Sequence, residues 1–250
     1  MTTIREVQAF LQQKAPFETA EDWDNAGLLA GNPDTAVSGI LLTLDITPQA
    51  VDFAADNGFA LIISHHPVIF HPLRRLTPDG APYALARRGV AAICAHTNLD
   101  KASGGVNDTL AALLGLHEVQ TTPDGLCRIG ELPAPLPPDE LAVLTAQRLH
   151  TDIRLCAGVR AIRRVGLCTG AGGEFAAALS GQVDAFITGE VRHHEWLQAA
   201  QDGITLIEAG HYATEMPVTR TLYDWLSAAF PTVRFCIYDQ PAPYRAVSGR

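Results

Sequence analysis

The stretch from Gly39 to Pro67 constrains the fold more than any other part of the chain. Gly39 to Asp45 is a short apolar run with the composition of a buried strand. Thr47-Pro48 then supplies an N-cap and a proline at the first helical position, which predicts a helix through about Asp56. Gly58 breaks that helix, and a second apolar run, Phe59-Ala60-Leu61-Ile62-Ile63, follows. Strand, helix and strand in this order make a β-α-β unit, whose crossover requires the two strands to be parallel. The second strand closes on Ser64-His65-His66-Pro67. Neighbouring strand residues point to opposite faces, so one packed layer cannot easily use two adjacent imidazoles. Where the backbone turns outward past the strand's carboxyl end, both rings can converge on one ion or on two adjacent ones. A structural histidine pair is the competing reading of the dipeptide taken alone.

The same grammar continues on both sides. Thr3 and Glu6 form a capping box ahead of an apolar face made by Ile4, Val7, Phe10 and Leu11, which predicts a helix from 4 to about 14. Glu21 to Leu28 reads as a polar loop in which Asp24 and Asn25 are turn-forming or capping groups. A loop with Arg74 and Arg75, which an anionic substrate could meet, ends in the turn Pro78-Asp79-Gly80. A short helix over 81–88 and a strand from Val90 to Ala95 lead into Ala95-His96-Thr97-Asn98-Leu99-Asp100. After a helix over 106–115, a second Thr-Pro-Asp-Gly turn and a proline cluster mark residues 117–162 as a linking or inserted segment. Strands are then expected over 164–169, 183–188, 204–209 and 232–238, with helices between them. The tail past Asp239, with Pro241 and Pro243, is expected to be loosely held. The domain reading is therefore an N-terminal α/β lobe over 1–116, the link over 117–162, and a C-terminal α/β lobe over 163–250.

The two lobes repeat one plan. Ile40-Leu41-Leu42-Thr43, a helix with Phe53-Ala54-Ala55 and the strand into His65-His66 match Val165-Gly166-Leu167-Cys168, a helix with Phe175-Ala176-Ala177 and the strand into Thr188-Gly189-Glu190. In each lobe the next strand ends in a histidine with a carboxylate four residues on, His96 with Asp100 and His211 with Glu215. Open α/β sheets build their sites beyond the carboxyl ends of strands. His65, His66, His96, Asp100, Glu190, His211 and Glu215 all fall there. Imidazole with carboxylate is the mixed donor set of zinc, iron, manganese, nickel or cobalt. Five or more such donors exceed one tetrahedral site, which favours two ions with Glu215 as the candidate bridge. The fold expected is α/β, with two similar lobes related by a weak internal duplication and a dinuclear site in the cleft between them. His193 and His194 are adjacent on a helix and read as a solvated face.

Composition narrows the classes. With 250 residues the chain holds one large domain or two modest ones. A net charge of −9 disfavours nucleic acid as a partner, including a ring-shaped scaffold that threads it. Five cysteines without a C-x-x-C pair read as buried apolar groups in a reducing, cytoplasmic setting. No signal pattern opens the chain and no apolar run reaches membrane-spanning length. Gly170, Gly172 and Gly173 do not form a dinucleotide fingerprint, and no phosphate-loop motif is present.

In order along the chain stand E-D-W-D-N-A-G-L, L-T-L-D-I-T, I-I-S-H-H-P, A-H-T-N-L-D with G-G-V-N-D, D-A-F-I-T-G-E and E-A-G-H-Y-A-T-E. Each piece is short, but as an ordered set running from Glu21 to Glu215 they resemble the GTP cyclohydrolase I type 2 homologue family, also called the Ngg-interacting factor three-like family. The resemblance implies a two-lobed α/β protein with a dinuclear metal centre, assembled as a toroidal homohexamer. By position it implies His65, His66, Asp100, His211 and Glu215 as ligands, which leaves His96 and Glu190 as near-site groups able to carry protons. A metal-dependent hydrolase acting on a purine nucleotide is the activity the family name implies. The alternative is a non-enzymatic metal-binding, metal-delivery or interaction protein.

Overall fold

The computed structural model describes residues 1–240 and Tyr244, so the expected loose tail, with Pro241 and Pro243, lies outside the described residues. The protein is mixed α/β with two sheets, carried by two compact units. Among the described residues, the first unit comprises Met1–Gly105 and 218–240, and the second comprises Val106–Pro217 and Tyr244.

The first unit opens with helix α1 (Ile4–Lys14), whose capping box is formed as expected: the Thr3 hydroxyl accepts from the Glu6 backbone, and the Glu6 carboxylate accepts from the Thr3 backbone. After a 3-10 turn come β1 (Gly27–Ala30), β2 (Gly39–Thr43), α2 (Pro48–Asp56), β3 (Leu61–Ser64), α3 (Ala81–Arg88), β4 (Ala91–Cys94) and the one-turn helix α4 (Thr97–Lys101). Thr47 caps α2 through its hydroxyl, with Pro48 at the first helical position. β2, β3 and β4 pair in parallel, so the β-α-β unit is present. Their residues are buried on both faces: Leu41, Ile62 and Ala92 pack with Val51 of α2 and Leu85 of α3, while Ile40, Leu42, Leu61 and Ile63 fill the opposite side. β1 is a strand where the sequence reads as loop. It runs antiparallel to β4, with Gly27 opposite Cys94, which places the residues before β1 beside the carboxyl end of β4.

The second unit contains α5 (Val106–Leu113), β5 (His117–Thr121), β6 (Arg128–Leu136), α6 (Pro138–Leu149), β7 (Arg154–Cys156), β8 (Ile162–Cys168), α7 (Phe175–Ala178), β9 (Ala185–Thr188), α8 (His193–Asp202), β10 (Thr205–Glu208) and α9 (His211–Glu215). Its sheet runs β5-β6-β8-β9-β10-β7, with β8, β9 and β10 parallel and the flanking pairs antiparallel. Ala185 and Ile187 pack into one core layer and Phe186 into the other, which is the alternation a sheet covered on both faces requires. Residues 117–162 are thus not a separate piece: β5, β6 and β7 extend this sheet, and α6 packs on it through Leu141, Ala142 and Leu149. Besides its hairpin partner β5, β6 pairs with residues of β8 thirty or so positions away, beyond the reach of local sequence pattern. The chain then returns to the first unit with α10 (Val218–Ala229) and β11 (Arg234–Ile237), the latter parallel to β2 at the sheet edge. The compact units therefore divide at 105/106 and 217/218, where the sequence reading places boundaries at 116/117 and 162/163. Among the described residues no helix is long and apolar enough to cross a membrane.

Candidate metal centre

In the first unit the carboxyl ends of three parallel strands carry the histidine cluster. His65 and His66 follow β3, His96 follows β4, and Asp45 follows β2. The ring centroids lie 5.0 Å apart for His65 and His66, 5.2 Å for His65 and His96, and 5.7 Å for His66 and His96. A ligand-capable nitrogen from each falls within 4.8 Å of the others. His65 Nδ1 donates to the Ala95 carbonyl oxygen at 2.9 Å. A carbonyl only accepts, so this bond fixes the tautomer and leaves Nε2 as the lone-pair nitrogen. His66 Nδ1 donates to Asp45 Oδ1 at 2.7 Å, and His96 Nδ1 to Asp24 Oδ1 at 2.8 Å. Asp100, on α4, brings Oδ1 to 3.6 Å from His65 Nε2. The backbone at the entry to α4 is fixed by Asn98, which accepts from the His96 backbone N–H and donates to the Ala15 carbonyl.

Asp24 combines two duties. It accepts from the backbone N–H and the hydroxyl of Thr97 and orients His96. The sequence assigns it a turn-forming or capping duty alone. Burial pushes its carboxyl upward, but the hydrogen bonds from His96 and Thr97 and the His96 charge outweigh burial and hold it far below the usual carboxylate range. A depressed folded value stabilises the fold above the usual carboxylate range, and that contribution is lost as pH falls through the folded value. Asp24→Asn is expected to cost about 1–3 kcal/mol at neutral pH. The gap to the parent should narrow on acidification below about pH 4, which urea melts at stepped pH will measure.

Cys94 ends β4 beneath this cluster, its thiol donating to the His65 carbonyl oxygen at 3.0 Å. Burial, with the Asp24 and Asp100 charges, pushes its pKa well up. It is a neutral buried group, as its apolar surroundings predict.

In the second unit the parallel strands β8, β9 and β10 end together. His211 opens α9 directly after β10, and its Nδ1 donates to Glu190 Oε1, just past β9, at 2.9 Å. Its Nε2 lies 3.0 Å from Glu215 Oε2, one helical turn on. The turn after β8 is cut to fit this pair. Gly170 has φ +61°, and a Cβ there would stand 2.2 Å from Glu215 Oε1 and 3.3 Å from His211 Nε2. The Gly170 carbonyl accepts from the Glu190 backbone, and its N–H donates to the Thr214 hydroxyl. His193 and His194 are both exposed on α8, as expected of a solvated face.

The sequence-expected residues thus fall into two groups. The first unit carries His65, His66, His96 and Asp100; the second carries Glu190, His211 and Glu215. The orienting carboxylates Asp24 and Asp45 were not among them. Asp45 follows the same strand-end rule that finds the histidines, whereas Asp24 depends on β1, which the polar composition of Glu21 to Leu28 conceals. The donor set suits a divalent ion. Four imidazoles each have Nδ1 tied to a carbonyl or carboxylate, which is how metal-ligating histidines are held in the correct tautomer and orientation.

Residues 2–243 match the model of the family described as Duf34/NIF3 (NGG1p interacting factor 3). The chain is 36% identical over 239 residues to a Streptomyces coelicolor protein named GTP cyclohydrolase 1 type 2 homolog, covering 87% of this chain and 83% of that protein. It is 34% identical to a Helicobacter pylori protein named GTP cyclohydrolase 1 type 2, over 86% of this chain and 88% of that one. The crystal structure of Staphylococcus aureus hypothetical protein SA1388 superposes with a TM-score of 0.90 at 26% identity, covering 98% of this chain and 99% of that chain.

Proposed function

Since the chain belongs to the Duf34/NIF3 family, we propose that it is a divalent-metal protein working as a metal-dependent hydrolase. His65, His66, Asp100, His211 and Glu215 are the ligands in this reading, serving two divalent ions. The observation that carries it is the uniform Nδ1 anchoring of His65, His66 and His211, the arrangement that orients histidines whose Nε2 ligates a metal. An internal duplication, which is part of this reading, would account for two similar sets of donors, one at each sheet's parallel strand ends. Bound divalent ions would supply Lewis acidity and acidify water toward neutral pKa. The protein's part is to hold the donors rigid and to move protons. His96, steadied by Asp24, and the exposed Glu190 are the groups assigned to proton carriage.

A purine nucleotide is the substrate class, taken from the names of the relatives. The test is formate release from GTP by protein reconstituted with zinc, iron, manganese, nickel or cobalt in turn. Activity is expected with at least one metal and should vanish in His66→Ala while the thermal melt is kept. No turnover on GTP or on a nucleotide and phosphoester panel, with metal bound and exchangeable, would replace the hydrolase by a metal-delivery or interaction protein. The family's description as an interacting factor favours that second reading. A homohexameric ring in the cytoplasm completes the proposal, with sedimentation equilibrium as the check on assembly.

A further inference from the structure

Two large aromatic side chains stand exposed beside the histidine cluster. Trp23 is 58% and Phe70 41% accessible, although burial of rings this size is strongly favoured. They come from different loops, Trp23 from the approach to β1 and Phe70 from the segment after His66. Asn25 clasps the two loops together, its side-chain amide donating to the Ile69 carbonyl at 2.6 Å. The Trp23 and Phe70 centroids lie 5.8 Å apart. Both rings are edge-on to His96, at 6.1 Å and 76° for Trp23 and at 6.3 Å and 80° for Phe70. The two rings, tilted 48° to one another, both flank the imidazole that Asp24 orients, and Phe70 also stands edge-on to His71 at 4.8 Å. The Phe70 loop also carries Arg74 and Arg75, both exposed, in a chain of net charge −9.

We propose that Trp23 and Phe70 form a stacking platform for a flat heteroaromatic ring whose anionic arm is met by Arg74 and Arg75. The proposal deepens the functional reading above and rests on it for the site to which the ring is presented. A ring stacked on Trp23 shares the indole's perpendicular relation to His96, so a heteroatom on its rim can face the histidine cluster. Stacking on an aromatic side chain tolerates many ring types, which makes the platform a determinant of ligand class rather than of one ligand. A guanidinium is suited to a phosphate or carboxylate arm because its planar fork can bind two oxygens at once.

The test is calorimetric titration of the full chain with guanosine 5′-monophosphate, adenosine 5′-monophosphate and ribose 5-phosphate. It is run on zinc-loaded and on chelator-dialysed protein, with zinc content measured in each. Both nucleotides are expected to bind at least about tenfold more tightly than ribose 5-phosphate. Trp23→Ala and Phe70→Ala should each weaken nucleotide binding roughly tenfold, equivalent to about 1.4 kcal/mol, while Trp23→Phe keeps most of it. Both positions are exposed, and unchanged melts will certify the variants. Equal affinity for ring-bearing and ring-free phosphates overturns the platform, as does indifference to Trp23→Ala. A shift in sedimentation on Trp23→Ala with nucleotide affinity unchanged also overturns it, assigning the patch, together with exposed Leu73 and Leu76, to contact with a second copy of the chain. Ring preference that persists in protein unable to hold zinc supports the platform and removes the metal reading alone. Zinc bound without ring preference does the reverse.

Discussion

Replacing His66 with alanine is expected to lower affinity for a divalent ion by at least about a hundredfold. Loss of a partner that merely orients a ligand already costs roughly 10–100-fold, and here the donor itself is removed. His66 is the informative choice because its side chain is 24% exposed and its anchor, Asp45, is 43% exposed, so the vacated space and the released carboxylate both reach water. His65 is fully buried, and its loss would also leave the Ala95 carbonyl without its donor at a cost of about 1–3 kcal/mol, confusing metal loss with unfolding. Competition with a chromophoric chelator reads the affinity. His193→Ala, on the exposed face of α8, should leave it unchanged.

Gly189→Ala is expected to give a large loss of stability, about 3 kcal/mol or more. A Cβ at this position would stand 2.6 Å from the Gly170 carbonyl oxygen, 2.7 Å from His211 Cα and 2.8 Å from the Thr214 hydroxyl. Two of those three atoms are backbone and cannot rotate away. The ends of β8 and β9 and the start of α9 would have to separate, carrying with them the Gly170 carbonyl to which the Glu190 backbone donates. Denaturant melts of the metal-free protein measure this cost without any contribution from ligand binding. A loss below about 1 kcal/mol would show that these turns are looser than their packing indicates.

The parts of the fold written in local pattern were legible in the chain. The Thr3–Glu6 capping box, the Thr47-Pro48 helix start and the apolar runs of β2, β3 and β4 each carry their own signal within a few residues. Placing the histidines at strand ends needed only that reading and the rule that α/β sites form there. What was hidden depends on long-range pairing. β1 is recognised by its antiparallel partner β4 rather than by its own composition, and with it went the second duty of Asp24. The extension of the second sheet by β6 was hidden for the same reason, since proline-rich sequence disguises a strand that β8 holds in place. Return of the chain to the first sheet through β11 is likewise invisible until its parallel pairing with β2 is seen.

Elemental analysis of the purified protein, joined to anomalous scattering from its crystals, tests the central claim most directly. Two divalent ions per chain are expected, with His65, His66, Asp100, His211 and Glu215 as their protein ligands. Protein that holds no stoichiometric metal after incubation with zinc, iron, manganese, nickel and cobalt would contradict it, as would ions bound away from these five residues.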